Sequence, residues 1–269
     1  MDYAEQFKCS LLPDGDDGRD YTQTNIMEMY NKEIKIPSKI SFIDKLPPIG
    51  NQLTLGSCAH WAFNRIAAVF DPRILFAPMY TYYFTRLAEF GIENIGENKG
   101  STLRGVLKTA NKKGWTLEEL CRYGVDKLAT EPDDISKAYA GNKIKYKRVI
   151  YYAISSVDEI KFGMAMGFVP FIGIKITDSF YSEETMKTGL ILPPSGKEHG
   201  LHGVMSGCFD DDLKNGCNII DNSWGMSVGD KGRFYLPYDV FPSILSNAWM
   251  VKIVDVGLGD ADGIAKTII

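Results

Sequence analysis

The run Gln52-Leu53-Thr54-Leu55-Gly56-Ser57-Cys58 leads into a segment where Ala62, Ile66, Val69 and Phe70 recur at helical spacing. This pattern predicts a helix that begins near Ser57 and reaches about Phe70. Its start places the Cys58 thiol at a helix N-terminus, where unpaired N–H groups and a partial positive charge favour thiolate over thiol. Gly56 and Ser57 suit a tight approach to that helix. The same N–H groups can hold an oxyanion, and Gln52 can add a side-chain donor. Standing alone, such a cysteine reads as a small buried residue; what decides otherwise is its partners.

Those partners lie far downstream. His202 heads a predicted strand in Gly200-Leu201-His202-Gly203-Val204, and Asn222-Ser223-Trp224-Gly225 ends the next one. An Asn carbonyl can accept from one imidazole nitrogen and leave the other for a thiol. Trp224 can shield that bond from water. The other histidines read differently. His199 sits among Lys197, Glu198 and Gly200 as part of a solvated loop, and His60 reads as a partly buried surface histidine able to tune the thiolate by its charge.

Together these blocks resemble the papain-like cysteine peptidases. That family places a glutamine six positions before its nucleophile, as Gln52 stands to Cys58, and a His and an Asn about 130–150 residues after it. Here His202 follows Cys58 by 144 residues (202 − 58) and Asn222 by 164 (222 − 58), slightly beyond that range. Asn222-Ser223-Trp224-Gly225, then Gly229-Asp230-Lys231-Gly232 and Phe234-Tyr235, is similar to the family's Asn-Ser-Trp-Gly block. The resemblance covers about residues 45–255. It implies Cys58 as nucleophile, His202 as base, Asn222 as orienting residue and Gln52 in the oxyanion hole. It also has departures. Ala59 and His60 intervene before Trp61, and Leu55 stands where many members have a disulfide cysteine. The glycine pair that binds substrate backbone has only Lys99-Gly100-Ser101-Thr102 as counterpart, which makes Gly100 and Ser101 the substrate-binding candidates. The 51 residues before Gln52 imply that the family's helical propeptide is lacking, as in bacterial, phage and large-virus members.

Outward from these blocks, 269 residues with 45% apolar content can build one large domain or two lobes. A net charge of −4 argues against nucleic acid as a partner. No apolar run approaches the length of a membrane span, and the acidic start lacks signal-peptide character. Five cysteines, an odd count without zinc spacing, point to free thiols in a reducing, cytoplasm-like compartment, with a Cys208–Cys217 cross-strand disulfide as the one alternative. Asp210-Asp211-Asp212 reads as a solvated turn and Asp260-Ala261-Asp262-Gly263 as a truncated calcium loop, so no metal is expected.

Helices are predicted near 25–32, 57–70, 78–90, 101–113 and 132–140, with a short one capped by Thr116 and Glu119. Strands dominate after Lys143, where Lys143–Arg148 reads as a basic strand and Ser156 with Glu159 opens one helix. Asn215-Gly216 is a hairpin signal. Helices first and strands second give an α+β class, and the resemblance implies a papain-like two-lobe fold with a helical lobe (50–142) and a β-barrel-like lobe (143–256). Residues 1–45 form an N-terminal extension wrapping the surface and 257–269 a tail. Hydrolysis of a polypeptide substrate without cofactor is the expected activity. The alternatives are a catalytically silent component of a viral or other large assembly, and a cell-wall amidase or acyltransferase. The extension lying across the cleft is an expected means of restraint.

Overall fold

The computed structural model describes residues 3–7, 9–30, 34–72 and 74–256. Two short helices, α1 (Tyr3–Gln6) and α2 (Gln23–Tyr30), and a short strand β1 (Lys39–Ser41) precede α3 (Cys58–Phe70), α4 (Pro78–Phe90), α5 (Leu103–Lys113) and α6 (Asp134–Tyr146). Their boundaries follow local chemistry. Pro78 opens α4, where its missing N–H has no partner to lose. The Thr102 side chain accepts from the Gly105 N–H to start α5, and Gly114, at φ +72°, ends it. The short helix expected after Thr116 is a turn instead. Its backbone is drawn into pairing with residues 75–77, where Ala77 N–H donates to Thr116 O and Glu118 N–H to Leu75 O. The predicted basic strand at 143–146 is the last turn of α6, which Asp133 caps through the Ser136 N–H.

The second half alternates strands with short helices: β2 (Lys147–Ile154), α7 (Val157–Ala165), β3 (Val169–Thr177), α8 (Glu183–Thr188), β4 (Glu198–Asp210), β5 (Cys217–Asp221), β6 (Arg233–Pro237), α9 (Phe241–Ile244) and β7 (Leu245–Asp255). The Ser156/Glu159 capping box at α7 is complete on both sides. All strand pairs are antiparallel, in the order β2-β7-β3-β4-β5-β6, and β1 pairs with the far half of β4. The expected barrel-like lobe is therefore an open sheet, because β2 and β6 stand at opposite edges of that path among the described residues. The Asn215-Gly216 signal marks the β4–β5 turn, where both residues have positive φ. Cys208 and Cys217 do not face each other there: Cys208 pairs with Ile219 and Cys217 with Asp210, and all five cysteines are free. The tail at 257–269, with its calcium-loop-like run, lies outside the described residues.

Burial places the functional elements. One core fills the sheet side, with Phe168, Phe209, Phe234 and Trp224 at its centre. A second joins α3 and α5 to β3, β4 and β7 through Phe63, Ile66, Leu107, Phe171 and Trp249. The apolar and aromatic stripe Tyr80–Leu87 on α4 is core, with Leu87 partly buried at its end. Helix α3 thus lies on the sheet, and its first residue meets β4. No helix among the described residues is long and apolar enough to cross a membrane.

Candidate active site

Cys58 is the first residue of α3, preceded by Ser57 at the cap position. Across from it, a Cβ built on Gly203 would stand 3.0 Å from Ala59 Cα, so β4 and the start of α3 touch at backbone distance. A side chain there would force the two backbones apart by a few tenths of an ångström, and the close approach brings His202, one residue earlier, beside the thiol's segment. The strand runs well beyond both sides of His202, which is an interior residue of β4 rather than its head. His202 Nε2 and Asn222 Oδ1 are 2.7 Å apart. The Asn222 carbonyl oxygen also accepts from the Ser223 N–H, so it serves as the acceptor and Nε2 carries the proton. His202 Nδ1 has no hydrogen-bond partner among the described residues. Trp224 lies over the imidazole at 4.7 Å between centroids and is itself buried.

Gln52 is drawn to the same place. Its Nε2 donates to Leu55 O at 2.8 Å, and its Oε1 accepts from Ser223 Oγ at 2.6 Å. Its backbone N–H donates to Ser223 O. The segment around Asn51 forms a bridge to Trp224, so the glutamine and the Asn-Ser-Trp-Gly block are sewn together by main chain.

Cys58 and His202 have no exposed surface. Burial pushes the Cys58 thiol up, while the backbone amides of Gly203, Ala59, Ser10 and Cys58 oppose the shift. Burial pulls His202 down to about 4, against the hydrogen bond to Asn222. Both groups are therefore neutral as they stand.

The covering comes from the N-terminal extension. Phe7 stacks on Trp224 at 4.6 Å with planes 10° apart, and Tyr181 OH donates to its carbonyl. Ser10 reaches the thiol with its amide. Leu11 N–H donates to Leu201 O and Leu12 N–H to Ser101 O, and the Leu11 side chain enters the core between helices and sheet. A Cβ on Gly100 would overlap the Ser10 carbonyl, so this glycine allows the closest approach of the strap. Gly100 and Ser101 thus border an extended peptide.

The remaining histidines are corrected or set apart. His60 is fully buried, not a surface residue, bonded to Thr81 Oγ1 and Ser101 Oγ at 3.1 and 2.8 Å. Burial holds it neutral, foremost, with Arg86 adding to the effect, so it lends the thiolate no charge. His199 stands in β4 against Asp178 at 2.6 Å. Asp210 and Asp211 pair with Lys39 and Lys161, and no cluster among the described residues can hold a metal.

The sequence places the extension across the cleft but does not single out Phe7, Ser10 and Leu11 as the residues that lie there, nor the Arg65–Asp221 pair. Apolar residues at alternate positions, Phe7, Cys9 and Leu11, were a signal for the first. Two charges interrupting apolar elements, next to and seven residues from site residues, were a signal for the second.

No family profile matches the chain. It is 28% identical over 239 residues to an uncharacterised peptidase C1-like protein of Acanthamoeba polyphaga mimivirus, covering 83% of this chain and 73% of that one. Its structure is similar to that of xylellain, a cysteine protease from Xylella fastidiosa, with a TM-score of 0.76 at 21% identity, over 91% of this chain and 95% of the other. It is also similar to digestive procathepsin L 3 of Tenebrio molitor, with a TM-score of 0.62 at 15% identity, over 82% and 71% of the two chains. A cysteine protease of Carica candamarcensis matches with a TM-score of 0.58 at 17% identity, over 81% and 99%. The chain thus has the fold of papain-like cysteine proteases, and in sequence it is similar to a viral peptidase C1-like protein.

Proposed function

We propose that the chain is a cysteine peptidase that hydrolyses peptide bonds through Cys58, His202 and Asn222. The observation that carries this reading is the His202 imidazole, bound through Nε2 to Asn222, with Nδ1 unpartnered and its neighbour Gly203 against the start of α3. In the reaction, Nδ1 takes the Cys58 proton as sulfur attacks the substrate carbonyl. The oxyanion gathers the Cys58 N–H and the Gln52 amide. His202 returns the proton to the leaving amine, and water then hydrolyses the thioester. Asn222 holds the ring orientation and Trp224 keeps water from their bond. The chemistry asks for no cofactor, and the five free thiols suit a reducing compartment.

The extension restrains the site. Phe7 and residues 9–12 occupy the groove a substrate needs, and both reacting groups are buried neutral beneath them. Displacing the strap rehydrates thiol and imidazole, which favours the ion pair. An epoxide that alkylates active thiols, followed by mass mapping, tests the reading: stoichiometric modification at Cys58, lost in Cys58→Ala, together with peptide hydrolysis, is expected. A fully reduced, strap-displaced protein that neither reacts nor hydrolyses would refute it.

A second reading is a silent papain-fold component of a viral or other large assembly. The complete burial of Cys58 and His202 favours it. Strap disruption without any gain in thiol reactivity is the result that reading requires.

A further inference from the structure

The strap does more than cover the thiol. Three residues beyond Leu11, the Asp14 carboxylate is seated in a built site. Its Oδ1 accepts from the Arg104 backbone N–H, in the first turn of α5, at 3.0 Å. Its Oδ2 accepts from Trp249 Nε1 on β7 at 2.7 Å. The Asp14 N–H donates to Asn247 Oδ1 at 3.1 Å. Trp249 is 2% exposed, and its indole N–H has no other partner among the described residues, so the donor is aimed at this carboxylate. The Arg104 guanidinium lies over the Trp249 ring at 5.3 Å and pairs with strap residue Asp20. Glu89, a body carboxylate nearby, is turned to the N–H and hydroxyl of Thr102.

A helix-start N–H and an indole N–H therefore converge on one strap carboxylate, Asp14, while the Arg104 guanidinium over the same indole holds a second, Asp20. The strap sequence over this place, Asp14-Gly15-Asp16-Asp17-Gly18-Arg19-Asp20, is correspondingly acidic. Once the strap is displaced, the N–H of buried Trp249, the N–H at the α5 start and the Arg104 cation remain, and they favour an anionic replacement. Leu11 packs in the same apolar cluster as Cys58, and three extended residues span about 10 Å from it.

We propose that the α5 start, Arg104 and Trp249 form a substrate subsite for an acidic side chain, so that the cleft prefers peptides with an aspartate or glutamate three positions from an apolar residue. This rests on the peptidase reading and names its substrate class.

The test uses the full chain and fluorogenic peptides with leucine and glutamate three positions apart, in both orders, each paired with its glutamine counterpart. Both members of a pair meet the same strap-open fraction, so their kcat/KM ratio is free of strap opening. A preference of about tenfold for glutamate in one order, the size of one charge-assisted hydrogen bond, is expected. It should fall to within about twofold in Trp249→Phe, which keeps the ring and loses the N–H, and in Arg104→Gln. Equal rates for glutamate and glutamine in wild type, or a preference that survives both substitutions, overturn the subsite. Fluorescence anisotropy with Cys58→Ala reads the same pairs without turnover. Discrimination in binding with no hydrolysis by wild type sinks the peptidase reading and keeps the subsite; hydrolysis without discrimination does the reverse.

Discussion

Arg65 and Asp221 join the helix that begins with Cys58 to the strand that ends just before Asn222. Arg65 Nε and Nη2 reach Asp221 Oδ2 at 2.9 and 2.5 Å, and both side chains are buried. Arg233 Nε takes the other carboxylate oxygen at 2.8 Å, and Arg65 Nη1 reaches the Pro47 and Pro48 carbonyls on the way to Gln52. One guanidinium therefore ties together the elements that carry the proposed nucleophile, orienting residue and oxyanion donor.

Removing one member of a buried pair costs up to about 3–5 kcal/mol when the other charge is stranded, and Arg233, which stays on Asp221, keeps the loss of Arg65 to the lower end of that range. Arg65→Met is expected to lower Tm by about 10 °C, given roughly 2–4 °C per kcal/mol in a chain of this size. Replacing both, as Arg65→Met with Asp221→Leu, should recover part of that loss. Calorimetry of the three proteins checks this; a double variant no more stable than the single one would contradict it.

Asn222→Ala leaves the fully buried His202 Nε2 without its acceptor and the ring free to turn. The rate of Cys58 alkylation should fall at least about tenfold, the scale of one positioned proton-transfer group, with Tm changed by only a few degrees. An unchanged rate would mean that the imidazole is oriented by something other than Asn222.

Phe7→Ala removes the ring stacked on Trp224, and burial of such a ring is worth about 3–5 kcal/mol. Weakening the strap should expose the thiol, so Cys58 alkylation is expected to accelerate at least about tenfold at pH 7. Leu11→Asp, which places a charge in the buried groove, should act in the same direction. Slower or equal labelling in both variants argues that the strap does not gate the site.

The pH dependence follows from His202. In the fold its pKa is held down to about 4, whereas an unfolded histidine titrates near about 6.5. Between these values the unfolded chain binds the proton and the folded chain does not. The stability contributed by neutral His202 is thus fully present above about pH 6.5 and is lost as pH falls toward about 4. Tm should therefore drop from pH 7 to pH 4.5, and the drop should be smaller in His202→Gln. His60, also held neutral by burial, shifts in the same sense and keeps the residual slope above zero. A His202→Gln protein with the wild-type slope would contradict the assignment.

The order Gln52, Cys58, His202, Asn222 was legible because each residue sits in a short block whose neighbours have local reasons to be there. The start of α3, the capping box at Ser156 and Glu159, and the turn at Asn215-Gly216 are all decided within a few residues. The errors have a common origin. Residues 143–146 continue α6 because the helix is capped upstream at Asp133 and packed on its neighbours, and the run after Thr116 is taken by pairing with residues 75–77. In both places a partner distant along the chain outweighs local preference.

The sequence by itself determined the class of fold, the helix that begins at Cys58 and the identity of the polar residues that can meet there. Only the tertiary structure decided that Phe7, Ser10 and Leu11 lie over the thiol, that His60 is buried away from it, and that Arg65 and Asp14 find Asp221 and Trp249. The physical reason is range. Capping, periodicity and turn chemistry act over a few residues and leave a trace at each position. Burial and ion pairing across 156 residues, as between Arg65 and Asp221, depend on which surfaces the folded chain brings together.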